Sequence, residues 1–146
     1  MIFSLKKFLI SLLVAIALSG NIFNSALATT QDFQWKSAKG YLVKGKFDYD
    51  KIPTSEIISE MGKGKTQQLE SLTLSFYNPN GELIHTYNNV VDRIAGGNYF
   101  EFNFDTKTKQ FVGNLDLGGE IAGDMYIKGK VNGKLNLIAI ESGDRE

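Results

Sequence analysis

The sequence predicts an all-β protein. The expected architecture is an antiparallel β-sandwich or jelly-roll-like domain of about eight strands after a cleavable N-terminal signal helix, with a small closed β-barrel as the alternative. Three observations carry this reading. Apolar residues recur with a period of two in several runs, Asn, Gly and Pro clusters separate those runs at strand-length intervals, and the first 28 residues have the layout of an export signal.

The export segment comes first in the chain. Lys6 and Lys7 give a positive start, Phe8 to Gly20 is almost wholly apolar, and Ala26-Leu27-Ala28 is the small-x-small pattern read by signal peptidase. The expected cut lies between Ala28 and Thr29. The apolar run falls short of the ~20 residues that a membrane-spanning helix needs. With no cysteine the chain has no lipobox, and Ile140 to Glu146 carries no apolar sorting tail. The expectation is a soluble product, periplasmic or secreted, with no membrane association after cleavage. Removing residues 1–28 from the 146 leaves 118, enough for one domain with its own core and no disulfides. Lys6 and Lys7 leave with the signal, so 14 basic residues face 16 acidic ones, a net charge of −2. That balance supplies no basic patch for nucleic acid.

In the mature part, Phe33 and Trp35 alternate with Asp32, Gln34 and Lys36, which points both rings toward the core. Gly40 to Asp50 is the clearest strand: Tyr41, Val43, Phe47 and Tyr49 share one face, and Lys44, Lys46, Asp48 and Asp50 the other. Residues 51–65 read as a short helix after Pro53 or an extended excursion. Leu69–Tyr77 and Glu82–Tyr87 flank the turn Asn78-Pro79-Asn80-Gly81, where Pro sets φ and Gly accepts a positive φ. Residues 88–97 read as a longer loop. Tyr99–Asp105 alternates Phe100, Phe102 and Phe104 with polar residues, and 106–109 connects it to Gln110–Leu117. Gly118-Gly119 separates that strand from Ile121–Lys130, and Asn132-Gly133 is a hairpin signal leading to Lys134–Ile140. The order reads as a meander.

Composition excludes several chemistries. There is no cysteine nucleophile, His85 is the single histidine, and no G-x-S-x-G is present, so thiol enzymes, elbow-type serine hydrolases and multi-histidine zinc sites are ruled out. Gly118-Gly119-Glu120-Ile121-Ala122-Gly123 lacks the Lys-Ser/Thr of a phosphate loop. Calcium is the one ion the residue types suit: Asp48 and Asp50 share a strand face, and Asp92 lies beside Asn88 and Asn89. No other cofactor is expected. Tyr77, Tyr87 and Tyr99 are the aromatic candidates for a glycan or envelope-protein contact, because a sugar's apolar face stacks on a ring. Glu101, Asp105, Asp116, Glu120 and Asp124 supply the acids from which a glycosidase-like pair would be drawn.

The runs Leu69-Glu70-Ser71-Leu72-Thr73-Leu74-Ser75-Phe76-Tyr77-Asn78-Pro79-Asn80-Gly81 and Tyr99-Phe100-Glu101-Phe102-Asn103-Phe104-Asp105-Thr106 resemble strand and turn patterns of small exported all-β proteins of cyanobacteria. The resemblance covers most of the mature domain and implies no catalytic residue, ligand or partner. The resulting expectation is an exported β-domain with a non-catalytic binding or structural role in the envelope or extracellular space. The alternative is a small carbohydrate-active hydrolase using paired carboxylates.

Overall fold

Alternating apolar residues build two antiparallel sheets whose inner faces meet through aromatic rings. A computed structural model describes residues 28–53 and 55–131. The signal segment before Ala28, the Asn132-Gly133 turn and the expected strand Lys134–Ile140 lie outside the described residues. The strands are β1 (Ala28–Lys36), β2 (Leu42–Asp50), β3 (Ile57–Met61), β4 (Gly64–Lys65), β5 (Leu69–Tyr77), β6 (Leu83–Val91), β7 (Ile94–Ala95), β8 (Glu101–Asp105), β9 (Gln110–Phe111), β10 (Gly113–Gly118) and β11 (Tyr126–Val131). Among the described residues eight strands have five or more residues and three have two, with no helix. It follows that no described helix could cross a membrane.

The first sheet has the order β1-β2-β5-β6-β7-β4 and the second β11-β10-β8-β3, with β9 also paired to β8. Among the described residues the sheets do not close into a barrel, and the arrangement is all-β and sandwich-like. The order also departs from a meander. After β2 the chain crosses to the far edge of the second sheet as β3, then returns as β4 and β5. Of the two alternatives for residues 51–65, the extended one forms, as two strands. Its Ile58 and Glu60 point inward opposite Phe104 and Phe102 of β8.

Residues 88–97, expected as a loop, instead form the end of β6, a two-residue turn at Asp92-Arg93 and the short β7. Both turn residues have left-handed backbones, φ 49° and 64°. The Gln110–Leu117 strand is interrupted at Val112, and Gly113 follows with φ 62°. The Asn78–Gly81 turn forms as expected: the Asn78 side-chain oxygen accepts the N–H groups of Asn80 and Glu82 at 3.0 and 2.9 Å, and Gly81 has φ 83°.

The core joins Val43, Phe47 and Leu74 of the first sheet to Ile58, Phe102 and Phe104 of the second, all essentially inaccessible to solvent. Phe47 packs edge-on against Phe102 and Phe104, with ring centroids 5.0 and 4.9 Å away. Each buried side chain of this size contributes about 1.5–3 kcal/mol.

Two polar braces cross between the sheets. The Glu60 carboxylate, only 7% exposed, accepts the backbone N–H groups of Gln67, Gln68 and Leu69 at 2.9, 2.7 and 3.3 Å. A buried charge is tolerated when such donors replace water. The Asn89 amide forms a two-way pair with Gly118, donating to its carbonyl at 2.7 Å and accepting its N–H at 2.8 Å. Among the described residues, no buried side-chain polar atom lacks a partner.

Candidate functional site

The described sheets leave a seam along β1, and three aromatic rings floor it. Phe33 and Trp35 point inward from β1, where the alternation placed them, but only half-buried, because β1 is an edge of its sheet among the described residues. Phe33 faces Gly45 across the β1–β2 ladder. Its ring lies over that glycine, and a Cβ there would overlap the ring. From the other sheet comes Phe111, paired in register with Phe104. Its ring centroid lies 5.0 Å from both Phe33 and Trp35, which are 4.9 Å from each other.

The turn before Phe111 aims it. The Asp105 carboxylate accepts the N–H groups of Lys107 and Thr108 at 2.9 and 3.0 Å, and these bonds, that of Thr108 foremost, hold its pKa below the ordinary carboxylate value. Lys109 closes the turn with a left-handed backbone, φ 59°, while its ammonium donates to the Tyr49 hydroxyl at 2.7 Å. Over the three rings lies an open groove of about 450 Å³, lined by residues 31–35 of β1 on one side and 109–112 on the other. Gln31 shares the inward face with the rings, while Asp32, Gln34 and Gln110 alternate to the outer faces beside Lys46, Lys44 and Asp105. A groove of this size with an aromatic floor has the make-up of a small-ligand site.

The three candidate tyrosines lie in different places. Tyr77 lies on the outer face of the first sheet, with the Lys44 ammonium 5.3 Å from its ring centroid. Tyr87 faces inward beside Leu74; its hydroxyl donates to Asp124 at 3.3 Å and accepts the Met125 N–H at 3.0 Å. Burial, its largest influence, raises its pKa above 10.0, and the Asp124 charge adds to this. Tyr99 is 52% exposed in the β7–β8 connection, with its N–H donated to Glu120 at 2.7 Å.

Nor do Asp48, Asp50 and Asp92 form a ligand set. The Asp48 carboxylate accepts the Thr30 and Ser71 hydroxyls. Asp50 is ion-paired to Arg93, which also bonds Glu70 at 2.6 Å, so Arg93 supplies the positive charge assigned to calcium from the sequence. Asp92 sits in the β6–β7 turn. Among the described residues no three His, Cys, Asp or Glu side chains come together to hold a metal ion.

Three of the five acids considered for hydrolysis brace loops. Asp105 holds the turn after β8, Glu120 accepts the N–H groups of Asn98 and Tyr99, and Asp124 accepts those of Glu120 and Ile121. Glu101 and Asp116 are register partners on β8 and β10. None of the five lines the aromatic groove. At the expected cleavage point, Ala28 opens β1 opposite Asp50, and Thr29 follows opposite Tyr49.

Sequence reasoning placed Phe33 and Trp35 in the core and did not single out Phe111. The phase of the alternation was right. What periodicity does not encode is that β1 lies at a sheet edge, which is what leaves these rings half open. No protein family, curated protein or solved structure matches this chain, so what the groove can bind is argued from its own chemistry.

Proposed function

We propose that this protein is an exported, soluble, non-catalytic binding domain of the periplasm or extracellular space, and that its ligand occupies the groove over Phe33, Trp35 and Phe111. The observation that carries the proposal is the half-buried ring cluster held open at the sandwich seam. Rings kept partly exposed favour a ligand with an apolar face that can stack on them. Export is supported by the basic, apolar and small-x-small succession ending at Ala28. The loop-bracing roles of Asp105, Glu120 and Asp124 favour binding over hydrolysis.

Two measurements test this. Cell fractionation with N-terminal mass analysis is expected to recover a chain starting at Thr29 from the periplasm or medium; an intact Met1 chain in the cytoplasm contradicts export. For binding, the purified mature protein is applied to immobilised envelope polysaccharide beside its Trp35→Ala and Tyr77→Ala variants. The proposal expects retention to fall in the first and not in the second. Retention that depends on Tyr77 and not on Trp35 overturns it.

A further inference from the structure

We infer that the groove is also the docking site of the chain's own segment Lys134–Ile140, which a ligand must displace to reach the rings. The docking stands on the groove's place in the fold; the displacement rests on the groove being the ligand site.

Val131 carries the argument. It is the last residue of β11, it pairs with Gly113 just beyond Phe111 and Val112, and it lines the groove. The chain that follows therefore leaves from the groove wall. Asn132-Gly133 comes next, a dipeptide suited to turning a strand back on itself. Lys134–Ile140 then brings Leu135, Leu137, Ile138, Ala139 and Ile140, with no charge between Lys134 and Glu141. At strand spacing this segment extends over about 20 Å, against about 13 Å for residues 31–35 along the groove, so it is long enough to cover the rings.

The groove suits such an occupant. Phe33, Trp35 and Phe111 are half-buried, and they present an apolar surface that water disfavours. Among the described residues β11 and β1 are sheet edges that border the groove, and an edge offers its backbone to a further strand. A separate chain must compete with a segment tethered a few residues away, whose effective concentration is of roughly millimolar order. The same tether sets the threshold that a groove ligand has to overcome.

The sequence has no cysteine and one tryptophan, which lies on the groove floor, so bimane on a single introduced cysteine reports contact with Trp35 by quenching. In the purified mature protein the label is placed in turn at Asn136→Cys and at Leu137→Cys, on opposite faces of a strand. A reference label at Lys63→Cys sits in the turn between β3 and β4. At least one of the two segment labels is expected to be quenched relative to the reference, and adding Trp35→Phe should abolish the quenching. Segment labels both as bright as the reference overturn the docking. A roughly hundredfold dilution leaves an intramolecular contact unchanged. Quenching lost on dilution assigns the groove to the segment of a second copy and overturns the inference. Solubilised envelope polysaccharide fragments should restore the bimane emission saturably. Fragments that shift Trp35 emission while the label stays quenched overturn the displacement and leave the docking. Fragments that leave both signals unchanged overturn the ligand reading, and the displacement with it, while the docking stands.

Discussion

Gly45 shows how a single missing side chain shapes the groove. Phe33 can lie flat over β2 only because position 45 has no Cβ. Gly45→Ala is expected to push the ring off its seat, lowering stability by about 1–3 kcal/mol as overpacking does. A shifted Trp35 emission should accompany the lower melting temperature; an unchanged spectrum and melt would contradict this packing. Arg93 is a second critical residue. Its backbone is left-handed, a conformation that costs a non-glycine residue of order 1 kcal/mol or more. It is held by its N–H bond to the Glu70 carbonyl at 2.9 Å and by the pairs to Asp50 and Glu70. Those side chains are about a third exposed, so solvent screening limits the pairs to about 1 kcal/mol together. Chemical denaturation should find Arg93→Ala destabilised, and Arg93→Gly less so by about 1 kcal/mol because glycine accepts the backbone. Neither residue's role was legible in the sequence: Asp-Arg is not a recognised turn pair, and Gly45 interrupts an otherwise regular strand. Tyr87 gives a pH prediction. A pKa raised on folding means the neutral hydroxyl is favoured, so its contribution is intact below pH 10 and is lost as pH rises through the folded value. Between pH 8 and 11 the melting temperature of the wild type should therefore fall more steeply than that of Tyr87→Phe.

At the scale of elements, polar braces fix the relation between the sheets. Glu60→Ala would strand the N–H groups of Gln67, Gln68 and Leu69 at the entry to β5, at a cost of about 2–4 kcal/mol. Asn89→Ala removes both partners of the Gly118 backbone groups, at about 1–3 kcal/mol. Denaturant titration should show lower midpoints with unchanged slopes. A midpoint shift near zero for Glu60→Ala would show that the carboxylate carries no such brace. These contacts explain what the sequence hid. The alternation in Ile57–Met61 places a glutamate at an inward position, which reads as a surface or broken segment. Only the three N–H donors, supplied by residues seven to nine positions further along, make it tolerable inside. β2, β5 and β8 were legible because their inward residues are all apolar, apart from Gly45 and the bulge at Glu70.

At the scale of the molecule, period-two patterning and turn punctuation were enough to indicate the all-β class. They were not enough for strand order, because β3 leaves the first sheet to pair with β8 in the second, about 45 residues away, a choice made by tertiary packing. The same gap hid the groove. Phe33, Trp35 and Phe111 each fit a core pattern, and the open seam that exposes them follows only from β1 lying at the edge of one sheet and β9 ending near it in the other. The acids and tyrosines that drew notice in the sequence are instead distributed among loop braces and separate faces. Binding in the groove is read by chemical-shift mapping of the ¹⁵N-labelled mature protein titrated with solubilised envelope polysaccharide fragments. Perturbations are expected to concentrate at residues 31–35 and 109–112 and at the Trp35 indole N–H. Perturbations centred on the Tyr77–Lys44 face or on the Tyr99 loop would contradict it.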